Sequence, residues 1–198
     1  MKANLESTME TILDKIVARK KEEVFLGKKN IPEAELLKRL GNVPQPRSFY
    51  DALANAKGIG VIAEIKKASP SAGVLRESFC PASIAKEYES SGVDCISVLT
   101  DEHFFQGSLN DLQIVSETVK TPLLRKEFVI DCYQLLEAKI HGASAILFIA
   151  EVLLGDDLKH LVGEAIKLGL EPLVELYDAC HLTRTAFIPT SLLRNGAT

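Results

Sequence analysis

The chain has 198 residues and is 46% hydrophobic, which suffices for one globular domain with a substantial core. Its formal net charge of −4 shows no basic excess that would neutralise nucleic-acid phosphates, and no Lys/Arg run marks a surface for anionic membranes. No stretch approaches the roughly 20 apolar residues of a membrane span, and charged residues interrupt the N-terminal segment where a signal peptide needs an apolar core. We therefore predict a cytoplasmic protein that binds neither nucleic acid nor membrane.

The cysteines carry no sign of a disulfide framework or a metal site. Cys80, Cys95, Cys132 and Cys180 are far apart in the chain and form neither a CxxC pair nor a metal-ligand spacing with the four histidines. We interpret them as buried thiols in a reducing compartment, and we expect neither a metal nor a cofactor.

Three helical stretches precede the main fold. Apolar residues at helical spacing among charged ones predict an amphipathic helix over residues 11–25. A second predicted helix, 31–40, ends at a glycine, and a proline-containing linker then leads to a short helix around 49–56. Residues 1–57 are therefore predicted to form an N-terminal helical extension.

Short apolar runs then alternate with longer amphipathic ones. The runs predicted as strands are 61–65, 95–99, 122–124, 145–149 and 172–176. The segments predicted as crossover helices are 81–90, 109–119, 133–141 and 158–168. This alternation predicts an α/β fold with a parallel sheet and right-handed crossovers. It leaves open whether the sheet is doubly wound or closes as a (β/α)8 barrel, although no GxGxxG follows the first strand to favour a dinucleotide fold.

The first predicted strand ends in an acid and a base, Glu64 and Lys66. Because they are two residues apart, their side chains lie on the same face of an extended strand. In a barrel this face is the interior, where the two groups can bind a polar substrate. The alternative is an ion pair on an exposed edge strand, and the apolar run before Glu64 argues for burial instead.

Two further charged residues belong to the third and fifth predicted strands. Lys126 follows the third strand, and Glu175 is flanked by apolar residues in the fifth. Such a carboxylate is either a salt-bridged core residue or a group whose pKa is raised by desolvation for proton transfer. Alternate strands of a (β/α)8 barrel contribute to the same interior layers, so Glu64, Lys126 and Glu175 are expected to meet.

Several ordered motifs resemble those of the indole-3-glycerol phosphate synthase family. The segments that carry the resemblance are IAEIKKASPS (62–71), LTDE (99–102), FFQGS (104–108), LRKEF (124–128) and EPLVE (171–175). The resemblance covers about residues 47–181 without an obvious gap. It implies a (β/α)8 TIM barrel of the ribulose-phosphate-binding type behind an N-terminal helical extension.

The resemblance also implies a reaction and the residues that perform it. Family members close 1-(2-carboxyphenylamino)-1-deoxyribulose 5-phosphate to indole-3-glycerol phosphate with loss of carbon dioxide and water, in tryptophan biosynthesis. By resemblance, Lys126 is the general acid at the ketone oxygen and Glu175 the carboxylate for proton transfer. Glu64 would orient the lysine and share in that transfer, and Lys66 would contact anionic groups of this phosphorylated small-molecule substrate.

The aromatic half of that substrate needs an apolar slot. The residues that match the family here are Phe105, Phe128, Leu147 and Ile149. The alternative for the last two is ordinary strand core. Ser69 lies in the first loop, where it either fixes the turn or hydrogen-bonds a ligand. Ala72 departs from the Lys or Arg often found at that place in the family, which weakens one loop contact.

The end of the chain departs further from the family. Residues 183–198 do not resemble the expected sixth strand, and no Gly-rich phosphate loop like those after strands seven and eight of such barrels is present. We therefore expect a partial barrel over 58–182 that stops after about five βα units, followed by a divergent tail over 183–198. An open sheet edge would then favour association through that edge, and the chain alone would have little activity.

Two alternatives to a synthase stay open. One is a non-catalytic or partner-dependent barrel fragment, favoured by the missing strands. The other is a different phosphate-binding barrel enzyme such as phosphoribosylanthranilate isomerase, in which a Cys/Asp acid–base pair would be expected instead of Lys and Glu.

Overall fold

A computed structural model describes residues 11–41 and 43–177. Its N-terminal part contains the three predicted helices, α1 (Ile12–Asn30), α2 (Glu33–Leu40) and α3 (Phe49–Ala54). Helix α1 begins where expected, after Thr11, whose side chain and that of Asp14 form a reciprocal capping box. It continues beyond the predicted end at residue 25. Its final turn, 27–30, has no apolar side chain, so the apolar periodicity could not detect it.

Apart from a short hairpin after the first strand, the remaining elements alternate strand and helix as predicted. The strands are β1 (Ile62–Ile65), β2 (Ala68–Ser69), β3 (Gly73–Val74), β4 (Cys95–Leu99), β5 (Leu123–Lys126), β6 (Ala145–Ile149) and β7 (Glu171–Glu175). The helices are α4 (Pro81–Ser90), α5 (Leu109–Thr118), α6 (Cys132–Ile140) and α7 (Asp157–Lys167). The prediction of an α/β fold is confirmed.

The strand order decides between the two closures that the periodicity left open. All pairings in the five-stranded sheet are parallel, and the order is β1-β4-β5-β6-β7. Consecutive strands of this sheet are therefore neighbours, and each inner strand pairs with the sheet strand before it on one side and the one after it on the other. In a doubly wound sheet the order of the strands reverses at a switch point, and the order of the described strands shows no such reversal. The sheet is built as the wall of a barrel.

The two faces of the sheet belong to different cores. Ile65, Val98 and Phe148 point outward and are buried against the helices that cover that side. On the inner face, Leu124 and Leu147 form a second cluster with Phe49 of α3. The Cys95 thiol, at the start of β4, also contacts the Phe49 carbonyl oxygen at 3.5 Å. Helix α3 thus covers the amino-terminal end of the inner face, and the carboxyl end stays open.

A short hairpin after β1 was not predicted. Strands β2 and β3 pair antiparallel, with Ser69 opposite Gly73, and the turn is held by the Ala72 amide, which donates to the Ser69 hydroxyl at 3.2 Å. Gly73 adopts φ +66°, a left-handed conformation that glycine accepts without steric cost. Of the two roles expected for Ser69, fixing the turn is the one that this geometry displays.

The prediction that the first strand is buried holds for Ile65 and was wrong for the residues before it. Val61 and Ile62 are 48% and 39% exposed, and Glu64 is exposed as well. The physical reason is that β1 pairs only with β4 among the described residues and leaves its other edge unpaired. A run of apolar residues predicts a strand, but it does not show how many neighbours the strand has.

Among the described residues, no helix combines the length and the apolar character needed to cross a bilayer.

The cysteines differ more than the sequence suggested. Cys95 is buried and Cys132 is half-buried, but Cys80 is exposed, so the prediction of buried thiols was wrong there. Cys80 precedes α4 as its N-cap residue, a position at the surface. Cys180 lies outside the described residues.

Two glycine substitutions test the packing of the loop after β4. A methyl group at Gly107 would collide with the backbone carbonyl of Leu99, whereas one at Gly163 in α7 would meet no atom. We expect Gly107→Ala to destabilise the fold by roughly 1–3 kcal/mol through overpacking. Gly163→Ala should stabilise it by about 0.5–1 kcal/mol through helix propensity. Urea unfolding midpoints measure both, and equal midpoints for the two variants would contradict this account of the loop.

Thiol alkylation tests the environment of the cysteines. Burial, followed by the charges of Asp94 and Glu171, raises the pKa of Cys95 to about 12. A hydrogen bond from the Ser83 hydroxyl lowers the pKa of Cys80. Because the thiolate is the nucleophile, iodoacetamide near neutral pH should modify Cys80 well before Cys95 and leave Cys95 unmodified until the protein unfolds. Peptide mapping by mass spectrometry separates the sites, and early labelling of Cys95 in the folded protein would refute the inner-face packing.

Candidate active site

A cavity of about 200 Å³ lies at the carboxyl ends of the strands. Its lining residues are Glu64, Lys66, Leu99, Phe105, Lys126, Glu127, Phe128, Leu147 and Ile149. Among them are all the site residues predicted from the sequence except Glu175 and Ser69. The carboxyl end is where βα barrels carry their active sites, because the loops that follow the strands converge there.

A second cavity of about 320 Å³ adjoins the first and shares Glu64, Lys126 and Leu147 with it. It is also lined by Glu175 of β7 and by the buried Ser97 of β4. The expectation that Glu64, Lys126 and Glu175 lie together is met, since all three line this cavity. They come together because their strands present alternate residues to the same inner face.

Two ion pairs line the cavities at this end of the sheet. The Lys126 ammonium is 2.7 Å from the Glu175 carboxylate, and the Lys66 ammonium is 2.6 Å from that of Glu64. The carboxylate in contact with Lys126 is therefore Glu175, whereas the sequence analysis expected Glu64 to orient this lysine. Both pairs are partly exposed, with 48% of the Glu175 side chain accessible. The edge-strand ion pair considered for Glu64 and Lys66 is present, and the same two side chains also line the cavity.

The predicted apolar slot is assembled from two loops and one strand. The rings of Phe105, after β4, and Phe128, after β5, have their centroids 6.0 Å apart with an interplanar angle of 35°. Leu147 and Ile149 of β6 line the same cavity. Leu147 is 2% exposed and also belongs to the inner-face cluster, so the strand-core alternative holds for this residue as well. The slot can accept a flat apolar group next to the Lys126 ammonium.

Arg125 is a structural participant that the sequence analysis did not assign. It precedes Lys126 in β5 and points to the opposite, helix-covered face, where it is 3% exposed. Its guanidinium donates to the Thr100 hydroxyl at 3.1 Å, to the Gln134 carbonyl at 2.6 Å and to the Glu137 carboxylate at 3.3 Å. The sequence held one indication of this role: Arg125 and Lys126 are consecutive in a strand, and consecutive side chains of a strand point to opposite faces.

Two buried carboxylates hold the aromatic residues through the backbone. One oxygen of Asp101 accepts the Phe104 and Phe105 amides at 2.7 and 3.2 Å. One oxygen of Glu127 accepts the Phe128 amide at 2.9 Å, and the other accepts the Thr100 hydroxyl at 2.8 Å. Both carboxylates occur in the motifs that carry the family resemblance, but their identity alone did not reveal a backbone contact.

Comparison with known proteins gives one consistent family. A sequence model described as "Indole-3-glycerol phosphate synthase" matches residues 13–193. A protein of that name from Rhodopirellula baltica is 45% identical over 183 residues, which cover 92% of this chain and 71% of the relative. Another from Prochlorococcus marinus subsp. pastoris is 46% identical over 180 residues, which cover 90% of this chain and 61% of the relative.

These matches also bear on the extent of the barrel. The chain spans 71% and 61% of the length of the two relatives, in keeping with the expectation of fewer βα units than a full barrel. The family match reaches residue 193 and so includes part of the segment 183–198 that was predicted to diverge. That segment lies outside the described residues. With nearly its whole length matched, the chain belongs to the indole-3-glycerol phosphate synthase family, (β/α)8-barrel carboxy-lyases of tryptophan biosynthesis.

Proposed function

We propose that the paired cavities perform the acid–base steps of the indole-3-glycerol phosphate synthase reaction. The observation that carries this proposal is the contact between the Lys126 ammonium and the Glu175 carboxylate, 2.7 Å apart, beside an apolar slot. A proton donor and a proton acceptor in contact, next to a place for an aromatic ring, match what a ring closure followed by dehydration requires.

The first step forms a carbon–carbon bond. The ring carbon that bears the carboxylate attacks the ketone carbon of the substrate, and the ketone oxygen takes a proton from Lys126. Loss of carbon dioxide then returns the electron pair of the broken carbon–carbon bond to the ring. The positive charge of Lys126 offsets the negative charge that develops on the ketone oxygen before the proton arrives.

The second step removes water. The hydroxyl left by the ketone departs with a proton from the acid, and a base removes a proton from the intermediate to complete the indole. Glu175 is placed to exchange protons with Lys126 because the two already share a hydrogen bond. Glu64 lies on the other side of the same cavity and is available for the same transfer.

The remaining residues would bind the substrate. Phe105 and Phe128 are the groups for its aryl ring, with Leu147 and Ile149 beneath it. Lys66 is the cation for its anionic groups and would exchange its contact with Glu64 for one with the substrate. The family's phosphorylated substrate supports a cytoplasmic location, and the exposed edge at β1 supports association through that edge.

The alternative isomerase finds less support. Neither cavity has a cysteine among the described residues that line it, whereas two lysines and three glutamates line the two cavities. A non-catalytic fragment is the alternative that an assay must address. The decisive comparison is the 198-residue chain beside the same chain extended with the part of the Rhodopirellula baltica relative that it does not cover. Absence of indole-3-glycerol phosphate formation by both proteins, when folded, would refute the proposal.

Replacing Lys126 tests the general acid. Lys126→Met is made in whichever of these two chains forms indole-3-glycerol phosphate. We expect it to lower turnover by roughly 10²-fold or more, because a positioned general acid contributes at least that much. Lys167→Met is the matched control, since Lys167 forms an exposed pair with Glu164 on α7 and should leave turnover unchanged. Near-normal turnover of Lys126→Met would remove the lysine from the mechanism.

Replacing Glu175 separates proton transfer from binding. Glu175→Gln nearly keeps the shape of the side chain but cannot transfer a proton, so we expect kcat to fall much more than KM changes. Glu164→Gln, in the surface pair with Lys167, is the control. A raised KM with unchanged kcat would instead make Glu175 a binding residue.

A further inference from the structure

Helix α1 has a charged residue in the middle of its buried stripe. Ile16, Lys20 and Val24 are four residues apart and are the buried residues of this helix. Lys20 is only 4% exposed. A lysine at such a position is costly unless its charge is compensated, because burial removes the water that solvates the ammonium.

Three carboxylates supply that compensation. The Lys20 ammonium is 2.6 Å from Glu23, 3.0 Å from Asp101 and 3.1 Å from Glu127. Burial by itself would lower the pKa of Lys20, but Glu127, Asp101 and Glu23 together outweigh it and raise the pKa. Lys20 is therefore a permanent cation in a buried cluster, and two of its partners come from the ends of neighbouring strands, after β4 and β5.

The same two partners hold the aromatic slot. The Asp101 oxygen that does not face Lys20 accepts the Phe104 and Phe105 amides, and the Glu127 oxygen that faces Lys20 also accepts the Phe128 amide. One ammonium thus contacts both carboxylates; Asp101 in turn holds the backbone of Phe104 and Phe105, and Glu127 holds that of Phe128. The loops after β4 and β5 are connected through this cation in addition to the sheet.

We propose that Lys20 is a positioning residue: by binding Asp101 and Glu127 together, it sets the spacing of Phe105 and Phe128 for the aryl group of the substrate. The inference rests on the proposed function in assigning the aryl group to these two rings. It adds a residue of the N-terminal helix that lines neither of the two cavities. Because both aromatic residues are in loops, their relative placement depends on what holds the loop backbones, and misplaced binding groups lower the rate of a reaction steeply.

The competing explanation is that Lys20 only stabilises the fold. A stabilising residue affects the opening of the whole domain, whereas a positioning residue affects the two loops selectively. Amide hydrogen exchange measured by NMR separates these outcomes, because local opening and global unfolding are recorded at different amides. It needs neither substrate nor turnover, so it does not depend on whether the proposed function is correct.

Two variants and one control make the test. Lys20→Met removes the charge and keeps much of the side-chain volume. Glu127→Gln removes one partner charge without changing shape, and it decides the question alone if Lys20→Met does not fold. The control is Lys28→Met on the same helix, since the ion pairs of Lys28 are with Asp131 and Glu33 and not with Asp101 or Glu127.

We expect the Phe128 amide to exchange about tenfold faster in both test variants, because a buried carboxylate without its counter-ion no longer holds its acceptor geometry. The Phe104 and Phe105 amides should follow in Lys20→Met. Core amides of β6 should exchange at the rates of the unmodified protein in both test variants. In Lys28→Met, the Phe104, Phe105, Phe128 and β6 amides should all keep those rates. Uniform acceleration across the domain, or no change at Phe105 and Phe128, would overturn the inference.

Binding of 2-aminobenzoate, the aryl half of the substrate, tests the consequence. Its Kd, measured by chemical-shift titration, should rise in Lys20→Met and Glu127→Gln and stay constant in Lys28→Met. Loosened loops with an unchanged Kd would refute the positioning role for the aryl group. If the exchange and binding results hold while the extended chain forms no indole-3-glycerol phosphate, the proposed reaction fails and the role of Lys20 at the aromatic slot stands.

Discussion

Lys126 faces the cavity because its two neighbours in the chain, Arg125 and Glu127, have their hydrogen-bond and ion-pair partners on the opposite face of the sheet. Arg125 is buried among Thr100, Gln134 and Glu137, so β5 cannot rotate or slip by one residue without exposing a charge to the apolar core. A single-residue shift would exchange the two basic side chains. The buried arginine thus fixes the register that presents the lysine to the site.

Charged groups near the site fall into two classes with different energetics. The pairs Lys126–Glu175 and Lys66–Glu64 are partly exposed, where an ion pair contributes about 0–1 kcal/mol and is readily exchanged. Lys20, Asp101 and Glu127 are buried, and removing one of these three would leave an uncompensated charge at a cost of roughly 3–5 kcal/mol. The exposed pairs can give up their contacts to a substrate, and the buried cluster keeps the frame around them in place.

The sheet divides stability and chemistry between its two ends. At the amino-terminal end, Phe49 of α3 packs on Leu124 and Leu147 and closes the inner face with apolar contacts. At the carboxyl end, the same face continues into the cavity with Lys126 and Glu175. Leu147 belongs to both, so the floor of the site is also part of the core. This division follows from the parallel strands, whose carboxyl ends all meet at one edge.

Within the described residues, local periodicity and ordered motifs were enough to predict the seven helices, the five strands of the parallel sheet and most of the residues around the cavity. The tertiary structure decided what depends on neighbours distant in the chain. Glu175 rather than Glu64 contacts Lys126, across 49 residues, and Lys20 reaches Asp101 and Glu127 from an N-terminal helix. The exposure of β1 likewise depends on how many strands pair with it. Ion-pair partners and edge exposure are set by sheet register and helix docking, which no local pattern of residues encodes.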